Sequence, residues 1–244
     1  MKISFLTLFP PIIQAYISES IMAKAIEQGL LECEIVNIRD FTVDKHRKCD
    51  DYPYGGGAGM VFKPEPLARA IEKVRTDRAR VIYPSPSGRS FTQSDAVELS
   101  SESHLVFICG RYEGVDQRII DEYVDDEYCI GDYILSSGEI ASLVITDAVY
   151  RLVDGVISKE SLSEESFSNG LLEYPHYTRP ENFNNIGIPE VLLSGHHENI
   201  RRWRLEQQVR KTLENRPDLV ENGTFPDEVR NIIEFMKKGK EGEE

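Results

Sequence analysis

No apolar run in this 244-residue chain reaches the roughly 18 residues that a membrane-spanning helix needs, so no span is expected. Cysteine is scarce. Cys33, Cys49, Cys109 and Cys129 stand far apart with no Cys-x-x-Cys pair, which reads as buried or free thiols in a reducing cytosol. Met1-Lys2 leads straight into Ile3-Ser4-Phe5-Leu6, without the length or cleavage site of a signal peptide. A cytoplasmic location is therefore expected, where the Asn222-Gly-Thr sequon has no role. His46, His104, His176, His196 and His197 do not pair with Cys or Asp at ligand spacing, and His-Glu-x-x-His is missing, so no metal ligand is assigned. No Gly-x-Ser-x-Gly elbow is present. The segment Tyr54-Gly55-Gly56-Gly57-Ala58-Gly59-Met60 lacks the Gly-Lys-Ser/Thr of a nucleotide P-loop. Met60 also stands where the last glycine of a dinucleotide fingerprint belongs.

Positive charge is also in deficit. The net charge is −14, which by itself argues against nucleic-acid binding. The average hides two local exceptions. Lys45-His46-Arg47-Lys48 is one. The other is Arg201-Arg202-Trp203-Arg204, which opens a stretch reaching Arg210-Lys211 with only Glu206 against it. Solvated charged surfaces account for both, but a tryptophan among arginines offers stacking as well as charge.

What the chain does have is three loops that follow apolar strands. They are Tyr83-Pro84-Ser85-Pro86-Ser87-Gly88, Gly110-Arg111-Tyr112-Glu113-Gly114, and Ile130-Gly131-Asp132-Tyr133-Ile134-Leu135-Ser136-Ser137-Gly138. The third leads into a helix with apolar residues at Ala141, Val144, Ile145, Ala148, Val149 and Leu152. Such loops expose backbone donors and acceptors, and three of them at strand ends suggest one ligand pocket at a sheet edge. Glu113, Asp116, Asp132 and Glu139 fall nearby, each open to reading as a helix cap, an ion-pair partner or a base. The glycine-rich loop reads either as a flexible turn or as a surface that only glycine lets another backbone approach.

Along the chain, residues 2–9 read as a strand, Pro10 to Gln28 as one helix, and 35–38 as a second strand. A long polar loop covers 40–60. Helices are expected at 64–74, 94–100 and 117–123, and strands at 80–83, 105–109 and 127–130. This alternation indicates a mostly parallel sheet with helices on both faces. From Asp154 to Asn169 the composition turns to Ser, Glu and Gly, as in a flexible linker, although an aromatic such as Phe167 in a polar linker often docks. Helices at 197–215 and 226–237 follow, and Lys238–Glu244 reads as a frayed tail. The expected division is an α/β domain over 1–155, a linker over 156–169 and a small helical domain over 170–244.

In order, these segments closely resemble the bacterial tRNA (guanine-N1)-methyltransferases that modify guanosine 37. The resemblance runs from Leu8-Phe9-Pro10 through Arg39-Asp40-Phe41-Thr42, Asp50-Asp51-Tyr52-Pro53 and Gly110-Arg111-Tyr112-Glu113-Gly114. It continues through Ile130-Gly131-Asp132-Tyr133-Ile134-Leu135, Pro175-His176-Tyr177-Thr178-Arg179-Pro180 and Leu193-Ser194-Gly195 to Arg201-Arg202-Trp203-Arg204. It implies a SPOUT-class α/β fold with a deep trefoil knot, an exception to the rule against knots, followed by a small all-α domain. It further implies a homodimer with active sites at the subunit interface.

By the same resemblance, S-adenosylmethionine is held by Tyr83, Pro84, Ser85, Gly110, Tyr112, Glu113, Ile130, Gly131, Asp132, Tyr133, Ile134, Leu135 and Gly138. Arg151 matches the arginine that stabilises the guanine. Glu165 stands where the family has its aspartate base, one methylene longer, and Ser137 stands where the family has glycine. Gly55, Gly56, Gly57, Gly59, Arg201, Arg202, Trp203 and Arg204 are the expected contacts to the tRNA anticodon arm. Mg²⁺ is implied for methyl transfer, without an evident cage in the sequence. Two other readings remain: a non-catalytic RNA- or nucleotide-binding protein on the same scaffold, and an α/β dehydrogenase, against which the missing glycine fingerprint counts.

Overall fold

The computed structural model describes residues 1–241, and Gly242–Glu244, the end of the expected tail, lie outside the described residues. The chain divides into two compact units, Met1–Ile157 and Ser158–Glu244. No helix among the described residues is long and apolar enough to cross a membrane.

The first unit opens with β1 (Lys2–Thr7), α1 (Pro10–Ile17), α2 (Ser20–Glu27) and β2 (Glu32–Asn37). Next come the two-residue strands β3 (Asp50–Asp51) and β4 (Val61–Phe62), then α3 (Pro64–Val74), β5 (Ala79–Ser90) and α4 (Gln93–Ser100). β6 (His104–Ile108), α5 (Gln117–Tyr123), β7 (Asp126–Cys129) and α6 (Gly138–Tyr150) complete it. Five strands form one sheet in the order β2-β1-β6-β5-β7, every pair parallel. Alternate residues of β1 and β6 serve opposite faces. Phe5 stacks on its register partner Phe107 with ring centroids 5.6 Å apart, in a core shared with Ile13, Met22, Leu99 and Leu143. Leu6, Val106 and Ile108 point the other way, onto Leu67, Ile71 and Ile119. Burial on both faces is why these strands read as mostly apolar runs rather than alternating ones, with Ser4 the one polar residue inside the run of β1. Truncating a fully buried ring such as Phe107 would cost about 3–5 kcal/mol.

Two expectations change here. The single helix predicted over 10–28 is broken between Ser18 and Ser20. The Ser18 hydroxyl donates to the Gln14 carbonyl, and Ser20 sits at φ 58°. Short hydroxyl side chains compete for the backbone groups a helix needs. The strand predicted over 80–83 runs to Ser90 but makes an excursion, because Pro84 and Arg89 both oppose Tyr128 of β7. At the far end of that excursion, a Cβ on Gly88 would lie 2.5 Å from backbone atoms of Glu127 and Tyr128.

The second unit holds α7 (Lys159–Glu164), β8 (Asn182–Phe183), β9 (Ile186–Gly187), α8 (His197–Asn215), α9 (Pro217–Asn222) and α10 (Asp227–Glu241). Leu171, Val209, Val220, Phe225, Val229 and Ile233 form its core. The segment read as a linker carries α7, and the amide of Phe167 donates to the Leu171 carbonyl at 2.8 Å. The β8–β9 ribbon was not expected in a helical unit. Its turn is Asn184-Asn185, both at positive φ, the geometry of a tight two-residue hairpin. The expected frayed tail is helical through Glu241, since α10 continues past Lys238.

Candidate functional site

At the C-terminal ends of the parallel strands, three loops converge on one cavity of about 630 Å³. Strand β5 delivers Tyr83, Pro84 and Ser85, β6 delivers Gly110 to Glu113, and β7 delivers Ile130 to Gly138. Every residue assigned to the cofactor from sequence lines this cavity except Asp132, which is exposed and outside the lining. Its neighbours Gly131 and Tyr133 take the wall instead, with the Tyr133 amide donating to the Gly131 carbonyl at 2.9 Å.

Bare backbone sets the shape. The Gly138 amide donates to the Gly110 carbonyl at 2.7 Å, which staples the start of α6 to the loop after β6. A Cβ on Gly138 would stand 2.5 Å from the Gly110 nitrogen, and one on Gly110 would stand 2.8 Å from the Tyr83 ring. Only glycine fits either place. Ser137, where the resemblance predicts glycine, is buried and caps α6 without a side-chain hydrogen bond at the cap.

The end of β1 braces the same loops. Thr7 Oγ1 donates to Glu139 Oε1 at 2.6 Å and accepts from the Phe9 amide at 2.8 Å. The guanidinium of Arg111 lies 4.3 Å from the centre of the Phe9 ring. Glu139 is completely buried, which makes it a fixture of the fold rather than a group open to a ligand.

No motif singles out Glu127, a lining residue that accepts from Ser85 Oγ at 3.0 Å. With Glu113 it gives the cavity two carboxylates, a lining suited to a cationic or polar ligand. Burial raises the phenol of Tyr83 above its ordinary range, so the ring enters the wall uncharged.

The glycine-rich loop meets this cavity at one end. Gly55, Gly56, Gly57 and Gly59 all have positive φ, where a side chain would be strained. A Cβ on Gly59 would be 2.3 Å from Glu113 Oε1, and the Glu113 amide donates to the Met60 carbonyl at 3.0 Å. The loop is thus pinned against a lining residue, while Tyr52 and Tyr54 nearby are exposed. Arg151 caps the C-terminal end of α6 in the same unit.

The remaining sequence-derived residues lie in the second unit. Glu165 caps the C-terminal end of α7. On α8, Arg201 is gripped by Glu198 and Glu228, and Arg202 pairs with Glu206 at 3.1 Å. Trp203 lies 6.3 Å, centre to centre, from the Tyr177 ring. Arg204 turns inward over the Tyr174 ring. The cluster that looked uniformly basic in sequence is therefore largely paired, and Arg202 is its most exposed arginine.

Comparison with known proteins agrees with this architecture. The family described as "tRNA (Guanine-1)-methyltransferase TrmD" matches residues 1–222. A protein of Treponema denticola named tRNA (guanine-N(1)-)-methyltransferase is 61% identical over 237 residues, covering 96% of this chain and 98% of that protein. Proteins of the same name from Treponema pallidum and Borrelia duttonii are 60% and 58% identical, each over 90% of this chain and covering 88% and 92% of their own lengths. With a match of this extent, and with the cavity formed by the three loops that carry the resemblance, the chain belongs to the tRNA (guanine-1)-methyltransferase family.

Proposed function

We propose that this protein transfers a methyl group from S-adenosylmethionine to N1 of guanosine 37 in tRNA, beside the anticodon. The observation that carries the reading is the cavity at the strand ends, walled by Tyr83, Gly110, Glu113 and the 130–138 loop, in a chain of this family.

The residues present suit the methyl donor. The volume is that of a small-molecule site, and the carboxylates of Glu113 and Glu127 complement a cationic ligand. When bound, S-adenosylmethionine supplies a methyl group already activated on a sulfonium. The tasks left to the protein are orientation and proton removal. Guanine N1 carries a proton and is a poor nucleophile near neutral pH. In this reading Glu165 accepts that proton, and Arg151 offsets the negative charge that develops on O6. Glu165 has one methylene more than aspartate, which changes its reach by about the length of one C–C bond. Among the described residues, no cluster of His, Cys, Asp and Glu side chains gathers to hold the Mg²⁺ that the resemblance implies.

A deep trefoil knot fits the close backbone passages at Gly88 on β7 and at Gly138 on Gly110, where no side chain has room. A homodimer with interfacial active sites fits the apolar residues that α6 leaves exposed, Ile140 and Val144, and the exposed Ile134 of the third loop. In the second unit, Arg202 and Trp203 offer charge and an aromatic face to the anticodon arm. A cytoplasmic location follows from the substrate.

The test is transfer of labelled methyl from S-adenosylmethionine to an unmodified tRNA transcript with guanosines at 36 and 37, against a control with guanosine 37 replaced. Label in the first alone is expected. Label in both, or in neither, refutes the proposal. Glu165→Ala is expected to lower turnover by at least about a hundredfold, and full turnover with an unchanged pH-rate profile would remove Glu165 as the base.

A further inference from the structure

Helix α7 has six residues and buries none of their side chains. A helix so short does not persist in water unaided. Its end is held through its last residue. The Tyr174 hydroxyl donates to Glu164 Oε2 at 2.5 Å, and Arg204 Nη1 approaches Glu164 Oε1 at 3.5 Å. The Arg204 guanidinium also lies 4.7 Å from the centre of the Tyr174 ring. The three side chains thus close on one another.

Between Glu164 and Tyr174 the chain folds back on itself. The Glu173 amide donates to Ser166 Oγ at 3.0 Å, and the Phe167 amide to the Leu171 carbonyl at 2.8 Å. Ser168 Oγ donates to the Glu165 carbonyl at 2.7 Å. The loop is rooted in the unit: Leu171 is buried in the core, and the Leu172 amide donates to Thr212 Oγ1 of α8 at 2.9 Å. Burial, then the hydrogen bond to Glu164, pushes the Tyr174 phenol up to about 12, which keeps it a donor at neutral pH.

Two carboxylates are adjacent here, Glu164 and Glu165. Glu164 meets Tyr174 and Arg204, and Glu165, the residue that caps α7, follows it directly along the backbone those contacts hold. Arg204 stands on the same turn of α8 as Arg201, Arg202 and Trp203. We infer that Glu164, Tyr174 and Arg204 are positioning residues, which set the place of the Glu165 carboxylate and tie it to the arginine-rich turn of α8. The inference rests on the reading of Glu165 as the base.

The test uses the full-length enzyme with saturating S-adenosylmethionine and unmodified tRNA transcript, and compares kcat, the two Kd values and Tm. Tyr174→Phe deletes only the hydroxyl. It is expected to lower kcat about tenfold or more, since a displacement near 1 Å costs as much as a hundredfold, and to leave both Kd values within twofold. The double variant Tyr174→Phe with Glu164→Ala should lose no more than the worse single variant, as residues acting through one contact do. Glu164→Gln, which still offers Tyr174 an acceptor oxygen, should recover most of the rate that Glu164→Ala loses. Wild-type kcat in Tyr174→Phe beside an inactive Glu165→Gln overturns the inference and leaves the base in place. Wild-type kcat in Glu165→Gln instead overturns the reading on which both stand. Loss confined to tRNA affinity, or a fall in kcat that tracks Tm across all the variants, assigns the cluster to RNA binding or to folding and also overturns it.

Discussion

Gly138→Ala tests the architecture of the cavity at one atom. The added Cβ would stand 2.5 Å from the Gly110 nitrogen and 3.0 Å from the Cys109 carbon and the Gly110 oxygen, all backbone, where ordinary contact starts at 3.4 Å. The two segments must therefore part by about 0.9 Å, and no flexible side chain is available to yield. That movement stretches the 2.7 Å bond from the Gly138 amide to the Gly110 carbonyl beyond hydrogen-bonding range. Overpacking of this kind costs about 1–3 kcal/mol of stability, and about 2–4 °C of Tm per kcal/mol at this size. The cavity loses its hinge between two of three walls, so S-adenosylmethionine affinity should fall about ten- to hundredfold, or 1.4–2.8 kcal/mol. Calorimetric titration reads the affinity and a thermal melt reads the stability. Gly187→Ala is the control, since its Cβ would meet nothing within 4 Å, and both readouts should stay at wild-type values. If Gly138→Ala bound S-adenosylmethionine within twofold of wild type, the close approach at Gly110 would not shape the site.

Two further predictions come from the charges. Arg202→Ala should weaken tRNA binding about three- to tenfold in 0.1 M salt and lower the salt dependence by about one ion; Arg201→Ala, whose guanidinium is already gripped by Glu198 and Glu228, should do less, and S-adenosylmethionine affinity should not change. Equal loss of both affinities in Arg202→Ala would indicate misfolding instead. Buried His104 has Ser4 Oγ on one ring nitrogen at 2.9 Å and Thr76 Oγ1 on the other at 3.3 Å. Burial, then the charge of Lys2, lowers its pKa below 6.5, against the opposing pull of Glu34 and Glu32. The unfolded chain therefore takes up this proton first, and the stability His104 contributes is complete above pH 6.5 and drains as pH falls below it. Thermal melts from pH 7.5 to 5.5 should show a steeper decline for wild type than for His104→Gln; parallel curves would refute the assignment.

Much of the fold was readable in advance because burial on both sheet faces leaves mostly apolar strands, and Pro64, Pro10 and Pro217 punctuate helices where proline must sit. The three cavity loops were visible for the same reason: each begins where an apolar strand ends. Other features were opaque because they depend on contacts between distant residues. Glu127 looks like any surface carboxylate until Ser85 is brought across from β5. The second run of β5 pairs only because β7 offers Tyr128 twice. The arginine cluster looked like a free basic patch because Glu164 and Glu228, which neutralise part of it, come from other segments. Asn184-Asn185 carried a legible hairpin signal, hidden by the helical context around it.

The strand order also has a consequence for synthesis. β1 leaves the ribosome before either of its two sheet neighbours, and those neighbours arrive at very different times. Lys2 pairs with Glu32 on one side and with His104 on the other. At about 5–20 residues per second, roughly five to twenty seconds separate β1 from its second neighbour. During that interval Ile3, Phe5 and Leu6 present an open, apolar strand edge, the feature that invites pairing with other chains. A nascent chain of this enzyme therefore depends on shielding early in translation, before any part of its cavity exists.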